Sequence, residues 1–293
     1  MSQLIEVKNL VVRYGQSKTG FLAVDDVSFV IPQGQTVGLV GESGSGKTTV
    51  ARAIAGIGPF SEGDIRYKEQ SLSALKRKEK QAFKKEVQMI FQNPYESLNP
   101  RLQVIDLIAE GSDNFGLTKN AEERKQKVAK LLHQVGLPQD ALYRYPHEFS
   151  GGQRQRIVIA RALALEPKFL LLDEPISALD VSIQAQIVNL LRKIQKEQNL
   201  TYLFIAHDLA MVRHISDYVV VMYRGKVVEA GDARTIYQNP QHPYTKALLS
   251  AVPSTDPIKE RQKELLIYQP AEQAQNFVQV NENHWVLQAV ELA

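Results

Sequence analysis

One stretch near the start of the chain limits the fold more than any other. It reads Gly41-Glu42-Ser43-Gly44-Ser45-Gly46-Lys47-Thr48 and fits the pattern Gly-x-x-x-x-Gly-Lys-Ser/Thr. The apolar stretch 36–40 before it predicts a buried strand, and the Ala- and Val-rich stretch 48–57 after it predicts a helix. Strand, glycine loop and helix in this order are the setting that a phosphate-binding loop requires, so we predict a nucleotide site here.

The residue types of this loop suit a chain of phosphates. Glycines let backbone N–H groups turn towards an anion, and the positive end of the following helix points to the same place. Lys47 can reach the β- and γ-phosphates, and the Thr48 hydroxyl can bind Mg²⁺. A chance glycine-rich turn is the alternative, which the flanking strand and helix disfavour. The predicted phosphate-binding residues are Gly41, Ser43, Gly44, Ser45, Gly46, Lys47, Thr48 and Thr49.

Composition narrows the class of protein. The 293 residues are 44% hydrophobic and 23% charged, as in an ordinary globular protein. The net charge of +3, from 35 basic and 32 acidic residues, is too balanced to favour a nucleic-acid partner. The chain has no cysteine, which excludes disulfides, thiolate zinc sites and cysteine-ligated iron–sulfur clusters. Residues 1–6 do not resemble a signal peptide, and no stretch approaches eighteen apolar residues.

The order of the elements predicts an alternating strand and helix chain with an insertion. The predicted strands are residues 4–14, 23–31, 36–40, 64–67, 87–91, 169–172 and 202–206, followed by a hairpin of 218–222 and 226–229. We expect 93–100, with its two prolines, to be a loop. The block 104–164 has a helical pattern throughout and is predicted to be an inserted subdomain. Past Gly231 the pattern weakens, and 265–293 is polar with Trp285 isolated in it.

Two carboxylates follow one of the buried strands. Residues 169–172 are apolar and lead directly into Asp173 and Glu174. Ligands of open parallel sheets bind at the carboxyl ends of the strands, so this pair is expected beside the phosphate loop. Asp173 would then lie near the metal ion, and Glu174 would act as the general base towards water. A polar strand end before the turn at Pro175 is the alternative.

A second anion site is predicted at Ser150-Gly151-Gly152-Gln153. A serine before two glycines at the start of a helix offers a hydroxyl, free N–H groups and a positive helix end. Alone, such a run is also a common turn, and the motif gains weight only together with the phosphate loop.

Together these motifs resemble the ATP-binding-cassette ATPases. The resemblance covers about residues 4–250. The motifs that carry it follow one another in the order known from that family. They are Tyr14, the phosphate loop, Gln92, Ser150-Gly151-Gly152-Gln153, Asp173-Glu174, Ser177-Ala178-Leu179-Asp180 and His207.

The resemblance implies a role for each of the remaining residues. Tyr14 would stack on adenine, and Gln92 would contact Mg²⁺ and the attacking water in the loop that faces the transmembrane partner. Ser150 to Gln153 would contact the γ-phosphate of ATP bound to the opposite ATPase subunit. Asp180 would lie across that dimer interface, and His207 would contact the γ-phosphate. The expected ligands are therefore ATP and Mg²⁺, with Thr48, Gln92 and Asp173 at the metal.

The resemblance also implies the fold. We expect an α/β P-loop NTPase (RecA-like) core with a mixed sheet, an N-terminal antiparallel β subdomain and an inserted α-helical signature subdomain. The expected domains are 1–91 and 166–232 for the nucleotide-binding core, 92–165 for the helical insertion and 233–293 for a C-terminal extension.

Three further stretches resemble the oligopeptide, dipeptide and nickel importer branch of that family. They are residues 89–101, 145–156 and 239–253. The resemblance implies a peripheral subunit on the cytoplasmic face of the inner or plasma membrane. Its expected partners are permease subunits, a second and related ATPase chain and, through the complex, an extracytoplasmic solute-binding protein. Many members of this branch hold an iron–sulfur cluster in a cysteine-rich tail. Residues 254–293 contain no cysteine, so we expect no cluster and a packing or regulatory extension instead.

Several functions stay open at this point. Peptide import is the first expectation, and import of nickel or a metallophore, or peptide export, are alternatives within the family. A soluble ATPase acting on nucleic acid or the ribosome is a different class, disfavoured by the single cassette and the lack of sustained heptads. A catalytically silent half-site is disfavoured because Glu174, His207 and Gln92 are all present.

Overall fold

The computed structural model describes residues 2–15, 20–207, 209–253, 261, 265–270 and 275–289. It divides into two compact units, one formed by residues 1–74 and 203–293 and the other by residues 75–202. The strands are β1 (Gln3–Tyr14), β2 (Phe21–Pro32), β3 (Thr36–Val40), β4 (Glu62–Tyr67), β5 (Gln70–Ser71), β6 (Val87–Ile90), β7 (Phe169–Asp173), β8 (Thr201–Ala206), β9 (Tyr218–Tyr223), β10 (Lys226–Asp232), β11 (Gln275–Asn281) and β12 (His284–Ala289).

The helices begin with the one that follows the phosphate loop. They are α1 (Lys47–Ile54), α2 (Arg77–Glu86), α3 (Pro94–Ser97), α4 (Val104–Asn114), α5 (Ala121–Gln134), α6 (Gly151–Leu163), α7 (Val181–Gln198), α8 (Leu209–Ile215), α9 (Ala233–Gln238) and α10 (Pro243–Ser250). Short 3-10 helices cover Leu72–Ala74, Gln139–Tyr143 and Pro146–Glu148.

The first unit contains an antiparallel sheet in the order β2-β1-β4-β5. Strand β1 pairs with β2 on one side and β4 on the other, both antiparallel. Its apolar residues face the core, with Ile5, Leu10 and Val12 fully buried. The antiparallel pairing of these strands confirms the predicted N-terminal β subdomain.

The first unit also contains a mixed sheet, in which strands follow the order β11-β12-β10-β9-β3-β8. Strand β3 pairs with β9 in parallel, whereas β9 pairs with β10 antiparallel. All five residues of β3 are buried, as expected of a strand in the middle of a sheet covered on both faces. This strand delivers the chain directly into the phosphate loop.

The second unit combines a parallel strand pair with packed helices. Strand β6 pairs with β7 in parallel, with Ile90 opposite Leu172. Helices α4, α5 and α6 contact one another through their apolar stripes, which bury residues such as Leu107, Leu132 and Ile159. The helical pattern predicted for 104–164 is therefore confirmed, although 3-10 turns and loops interrupt it.

The prediction of a loop throughout residues 93–100 is wrong. Residues Pro94–Ser97 form the short helix α3, because a proline is tolerated in the first turn of a helix, where its missing N–H would have no partner. The turn is closed by hydrogen bonds from Asn93 Nδ2 to Glu96 Oε1 (2.8 Å) and from Ser97 Oγ to the Asn93 carbonyl (2.8 Å).

The polar C-terminal stretch contains a hairpin that the sequence pattern did not predict. Strands β11 and β12 pair antiparallel, and β12 also pairs antiparallel with β10. Trp285 is not isolated, because its ring stacks on Phe277 with 6.1 Å between the ring centroids. The hairpin was missed because its inward-facing positions include the polar His284 beside Val286, both buried.

Among the helices within the described residues, none has both the length and the apolar character needed to cross a bilayer.

Candidate functional site

The phosphate loop is shaped by contacts that only glycine allows. Gly41 has φ +151°, and a Cβ at this position would lie 2.2 Å from the Met222 carbonyl oxygen. Gly46 has φ +100°, and a Cβ there would lie 2.5 Å from the Ala23 carbonyl oxygen. The loop therefore runs directly against two backbone segments. Helix α1 begins at Lys47, and Gly46 provides no side-chain cap for its first N–H groups.

Lys47 is folded into this loop. Its side chain is buried, with a residue exposure of 4%. Its Nζ donates to the carbonyl oxygens of Gly41 (2.8 Å) and Glu42 (2.7 Å). On the open side, no atom lies within 4 Å of where a Gly44 Cβ would be, and Gly44 has φ +79°. The result is a backbone-lined cradle with a cationic group and an uncapped helix end, and such a cradle suits a phosphate group.

Two residues from the C-terminal part of the chain hold the loop from outside. The Glu42 N–H donates to Tyr244 Oη (3.0 Å), and the Gly225 N–H donates to the Ser45 carbonyl (3.1 Å). Neither was identified from the sequence. Tyr244 lies within the run His242-Pro243-Tyr244-Thr245, which served there only as a mark of one family branch.

In the second unit, the structure brings Gln92 and Glu174 together. Each lies two positions beyond the β6–β7 pair formed by Ile90 and Leu172, so parallel pairing carries both to the same edge. Gln92 Nε2 donates to Glu174 Oε2 at 2.7 Å. Glu174 has φ +47°, an uncommon backbone conformation for a residue with a side chain. Asp173, at the end of β7, is 4% exposed. A carboxylate oriented by an amide in this way can accept a proton from water.

The serine–glycine turn forms the start of α6. Ser150 is the N-cap residue and makes a capping box with Gln153. The Gln153 N–H donates to Ser150 Oγ (3.4 Å), and the Ser150 N–H donates to Gln153 Oε1 (3.0 Å). Gly152 also has a packing role, since a Cβ there would lie 2.5 Å from Ile183 Cγ2. The serine hydroxyl accepts within the box and can still donate its own proton to an anion.

The remaining predicted residues lie at the ends of strands and helices. Tyr14 ends β1 and is 43% exposed. His207 follows β8 and is exposed, and Asp208 beside it lies outside the described residues. Asp180 precedes α7 and is exposed, and the segment before it is held by Gln184 Nε2, which donates to the carbonyls of Ile176 (3.1 Å) and Leu179 (2.9 Å).

The donors predicted for the metal ion are a hydroxyl, an amide and a carboxylate, from Thr48, Gln92 and Asp173. Oxygen donors of these types fit Mg²⁺. Within the described part of the chain, no group of three or more His, Asp and Glu side chains is arranged to hold a metal ion by itself.

A groove of about 390 Å³ opens on the second unit, beyond the Gln92 loop. Arg161 crosses it, with Nη1 donating to the Ser97 carbonyl (2.7 Å) and Nη2 donating to Glu110 Oε2 (2.6 Å). The groove therefore has a polar edge. Its lining residues are Glu96, Ser97, Leu98, Asn99, Pro100, Leu102, Leu107, Glu110 and Arg161.

Comparison with protein-family models gives two matches. Residues 24–177 match the ABC transporter model. Residues 228–277 match the model described as the oligopeptide/dipeptide transporter C-terminal region.

Comparison with curated proteins gives similar chains over nearly the full length. The chain is 53% identical to the oligopeptide transport ATP-binding protein OppF of Streptococcus mutans, over 99% of this chain and 96% of that protein. It is 54% identical to the dipeptide transport ATP-binding protein DppF of Lactococcus lactis subsp. cremoris, over 92% of this chain and 87% of that protein.

Solved structures show the same fold. CbiO1 of Clostridium perfringens, part of an ABC transporter complex, matches with a TM-score of 0.73 and 28% identity, over 82% of this chain and 92% of that one. A dimeric ATP-binding cassette bound to ADP and phosphate matches with a TM-score of 0.70 and 27% identity, over 79% of this chain and 99% of that one.

Proposed function

The chain belongs to the ATP-binding-cassette transporter family, and from this premise we propose that it hydrolyses ATP to energise the import of oligopeptides or dipeptides through a multi-subunit membrane transporter. The observation that carries the choice of solute is the match of residues 228–277 to the oligopeptide/dipeptide transporter C-terminal region. The relatives named for oligopeptide and dipeptide transport, at 53% and 54% identity, support the same choice.

Nucleotide binding is assigned to the first unit. The N–H groups of the loop 41–48 and the start of α1 receive the phosphates, where Lys47 exchanges its bonds to the Gly41 and Glu42 carbonyls for phosphate oxygens. Tyr14, exposed at the end of β1, stacks on the adenine ring. Bound Mg²⁺ would be held by oxygens of Thr48, Asp173 and Gln92 and would neutralise charge on the β- and γ-phosphates.

Hydrolysis is assigned to the residues that follow β6, β7 and β8. Glu174 accepts a proton from the attacking water while the water oxygen approaches the γ-phosphorus. Gln92, bonded to Glu174 at 2.7 Å, orients that carboxylate. His207 donates to the γ-phosphate oxygens and stabilises the charge that develops there.

A second ATPase chain completes each nucleotide site. Ser150, with the N–H groups of Gly151 and Gly152, contacts the γ-phosphate held by the phosphate loop of the opposite subunit, and Asp180 lies across this interface. The opposite subunit is a related, different chain. Because the γ-phosphate joins the two halves, its removal by hydrolysis lets the pair open. The dimeric structure of a similar cassette with ADP and phosphate supports a paired arrangement.

The groove beyond Gln92 is the proposed docking place of a permease subunit. Its volume of about 390 Å³ and its polar edge at Glu110 and Arg161 suit a short helical loop. Because the groove follows Gln92 in the chain, a partner seated there would affect the residue that orients Glu174. The subunit is then peripheral, on the cytoplasmic face of the membrane, and reaches the solute-binding protein only through the complex.

The proposal is tested by uptake of labelled peptides into cells that lack this chain. We expect loss of dipeptide and oligopeptide uptake, and recovery with the wild-type chain but not with Lys47→Ala. Uptake of nickel, measured in parallel, should not change. Intact peptide uptake together with reduced nickel uptake would overturn the assigned solute, and intact uptake of both would overturn the role in import. Affinity purification from membranes should bring down permease subunits with the wild-type chain.

A further inference from the structure

A buried carboxylate on β10, Glu229, has no part in the site described above. Glu229 lies on β10 and is 0% exposed. Its Oε1 accepts from the Gln241 N–H (2.8 Å), and its Oε2 accepts from the His242 N–H (3.0 Å). His284 Nε2 on the hairpin lies 2.7 Å from Oε1. Since a buried carboxylate is costly without partners, these contacts tie together the start of α10 and the β11–β12 hairpin.

Besides the pairing of its backbone with β10, His284 contacts Glu229 through one ring nitrogen, Nε2. The residue is 0% exposed, and in the described part of the chain its Nδ1 has no hydrogen-bond partner. The hairpin therefore makes this buried polar contact through Nε2 and Glu229.

The contacts continue from Glu229 into α10. His242 is the N-cap residue of that helix, and its Nδ1 accepts from the Tyr244 N–H at 3.1 Å. This role requires an unprotonated Nδ1. Tyr244 is 1% exposed. Its ring packs on those of Tyr223 and Tyr268, with centroid distances of 4.4 Å and 5.5 Å. Cap and ring packing together fix the position of the Tyr244 hydroxyl.

That hydroxyl ends at the phosphate loop. Tyr244 Oη accepts from the Glu42 N–H at 3.0 Å, while the Gly41 carbonyl of the same peptide group accepts from Lys47 Nζ at 2.8 Å. Both polar atoms of the Gly41–Glu42 peptide are therefore held, one by the C-terminal part of the chain and one by the loop lysine. Burial raises the pKa of Tyr244 to about 12, further above neutral pH than the ordinary value of 10 at which the hydroxyl is already protonated.

We infer that Tyr244 is a positioning residue for the phosphate loop, and that the β11–β12 hairpin supports it through His284 and Glu229. The inference rests on the proposed role of that loop in ATP binding. A loop whose first peptide group can rotate binds ATP only in the fraction of molecules with the competent orientation. The apparent dissociation constant rises as that fraction falls.

The first experiment compares Tyr244→Phe with Tyr268→Phe in the full chain. Both variants remove a hydroxyl from the same aromatic cluster and keep the ring, but Tyr244 is the one bonded to Glu42. Titration calorimetry with Mg-ATP should give a dissociation constant about threefold to tenfold higher for Tyr244→Phe. The constant for Tyr268→Phe should stay close to wild type. A wild-type constant for Tyr244→Phe would overturn the inference.

The second experiment tests whether the hairpin acts through Tyr244. We expect His284→Ala to raise the dissociation constant of ATP by about twofold to fivefold, and His284→Gln, which keeps an N–H donor, to restore it. The double variant His284→Ala/Tyr244→Phe should resemble Tyr244→Phe alone, because both changes release the same peptide group. A loss of general stability would not produce such non-additivity.

The role of the hairpin and the role of Tyr244 can be disproved separately. Additive effects, or an unchanged constant in His284→Ala, would overturn the role of the hairpin. His284→Asn, with a shorter side chain, replaces His284→Ala if that variant does not fold. The dissociation constant of Lys47→Ala shows, as a reference, whether the phosphate loop binds ATP. If Lys47→Ala binds ATP like wild type, the proposed function fails, whereas a wild-type Tyr244→Phe beside a defective Lys47→Ala overturns this inference alone.

Discussion

The phosphate loop and the serine–glycine turn both end at the N-terminus of a helix, but different parts of the chain hold them. At α6, Ser150 and Gln153 satisfy each other in a capping box. At α1, Gly46 caps nothing through a side chain, and the loop is held by Gly225 and Tyr244 from the other end of the sequence. The serine–glycine turn is thus stabilised by its own residues, whereas the conformation of the phosphate loop depends on contacts with residues distant in the sequence.

This difference suits the roles that we propose for the phosphate loop and the serine–glycine turn. A site that binds ATP first must be preorganised before the nucleotide arrives, and the loop meets this need through distant contacts. A turn that contacts ATP held by another molecule needs only to keep its own shape until the two subunits meet.

The largest effect is expected from Glu174→Gln. The substitution keeps the size of the side chain but removes its capacity to accept a proton from water, so ATP hydrolysis should fall about 10²- to 10⁴-fold. ATP binding should persist. The pair of ATPase subunits, in which the phosphate loop of one and the serine–glycine turn of the other contact the same ATP, should therefore accumulate. Phosphate release measures the first effect, and size-exclusion chromatography of a mixture with the second ATPase chain and ATP measures the second. Wild-type phosphate release would disprove the role of Glu174 as the base.

Alanine in place of glycine should distinguish the two regions by stability. In the loop, the Cβ of Gly41→Ala would meet the backbone oxygen of Met222, which cannot move aside. We expect a loss of about 3–4 kcal/mol in the free energy of unfolding. In the turn, the Cβ of Gly152→Ala would meet the Ile183 side chain. That side chain can shift, so we expect a loss of about 1–2 kcal/mol.

Urea unfolding of the nucleotide-free chain measures both losses. Gly44→Ala is the matched control for backbone strain, because Gly44 also has a positive φ but no atom within 4 Å of its Cβ position. Its loss should be about 1–2 kcal/mol. Equal losses for Gly41→Ala and Gly152→Ala would contradict the view that the loop is held by distant backbone and the turn is not.

The smallest effect concerns the pH dependence of the support under the loop. Burial lowers the pKa of His242 below its ordinary value of 6.5, although the nearby Glu229 carboxylate acts in the opposite direction. The unfolded chain therefore takes up the proton at a higher pH than the folded chain. The contribution of His242 to stability should be complete above about pH 6.5 and decline as the pH falls through the lowered value.

His242→Asn tests this expectation, because asparagine can cap α10 but does not titrate near neutral pH. The difference in unfolding free energy between wild type and His242→Asn should shrink as the pH falls below about 6.5. Measuring the difference removes the contribution of the carboxylates that both chains share. A difference that shrinks as the pH rises would show that the sign assigned to His242 is wrong.

The sequence predicted those parts of the molecule that depend on neighbouring residues. The serine–glycine turn of residues 150–153 spans four positions, and the glycine loop between strand and helix is equally local, so both could be identified from residue order. The antiparallel N-terminal sheet and the mixed sheet were expected from the family resemblance instead, because their pairing joins strands that lie far apart in the sequence.

Contacts between distant residues could not be predicted in this way. Tyr244 lies 202 positions from Glu42, its partner on the loop, and no local pattern marks such a pair. The β11–β12 hairpin was missed because a histidine paired with the buried Glu229 occupies a core position, where the pattern calls for an apolar residue. The helix α3 was missed because two nearby prolines suggest a loop, although Pro94 stands in the first turn, where proline is tolerated.

We propose that the phosphate loop binds ATP before the serine–glycine turn takes part. The ATP affinities of Lys47→Ala and Ser150→Ala, measured at protein concentrations too low for pairing, test this order. We predict that Lys47→Ala raises the dissociation constant about 10- to 100-fold, as expected for the loss of a charged contact to phosphate, while Ser150→Ala leaves it unchanged. An unchanged constant in Lys47→Ala, or an equal loss in both variants, would contradict the claim.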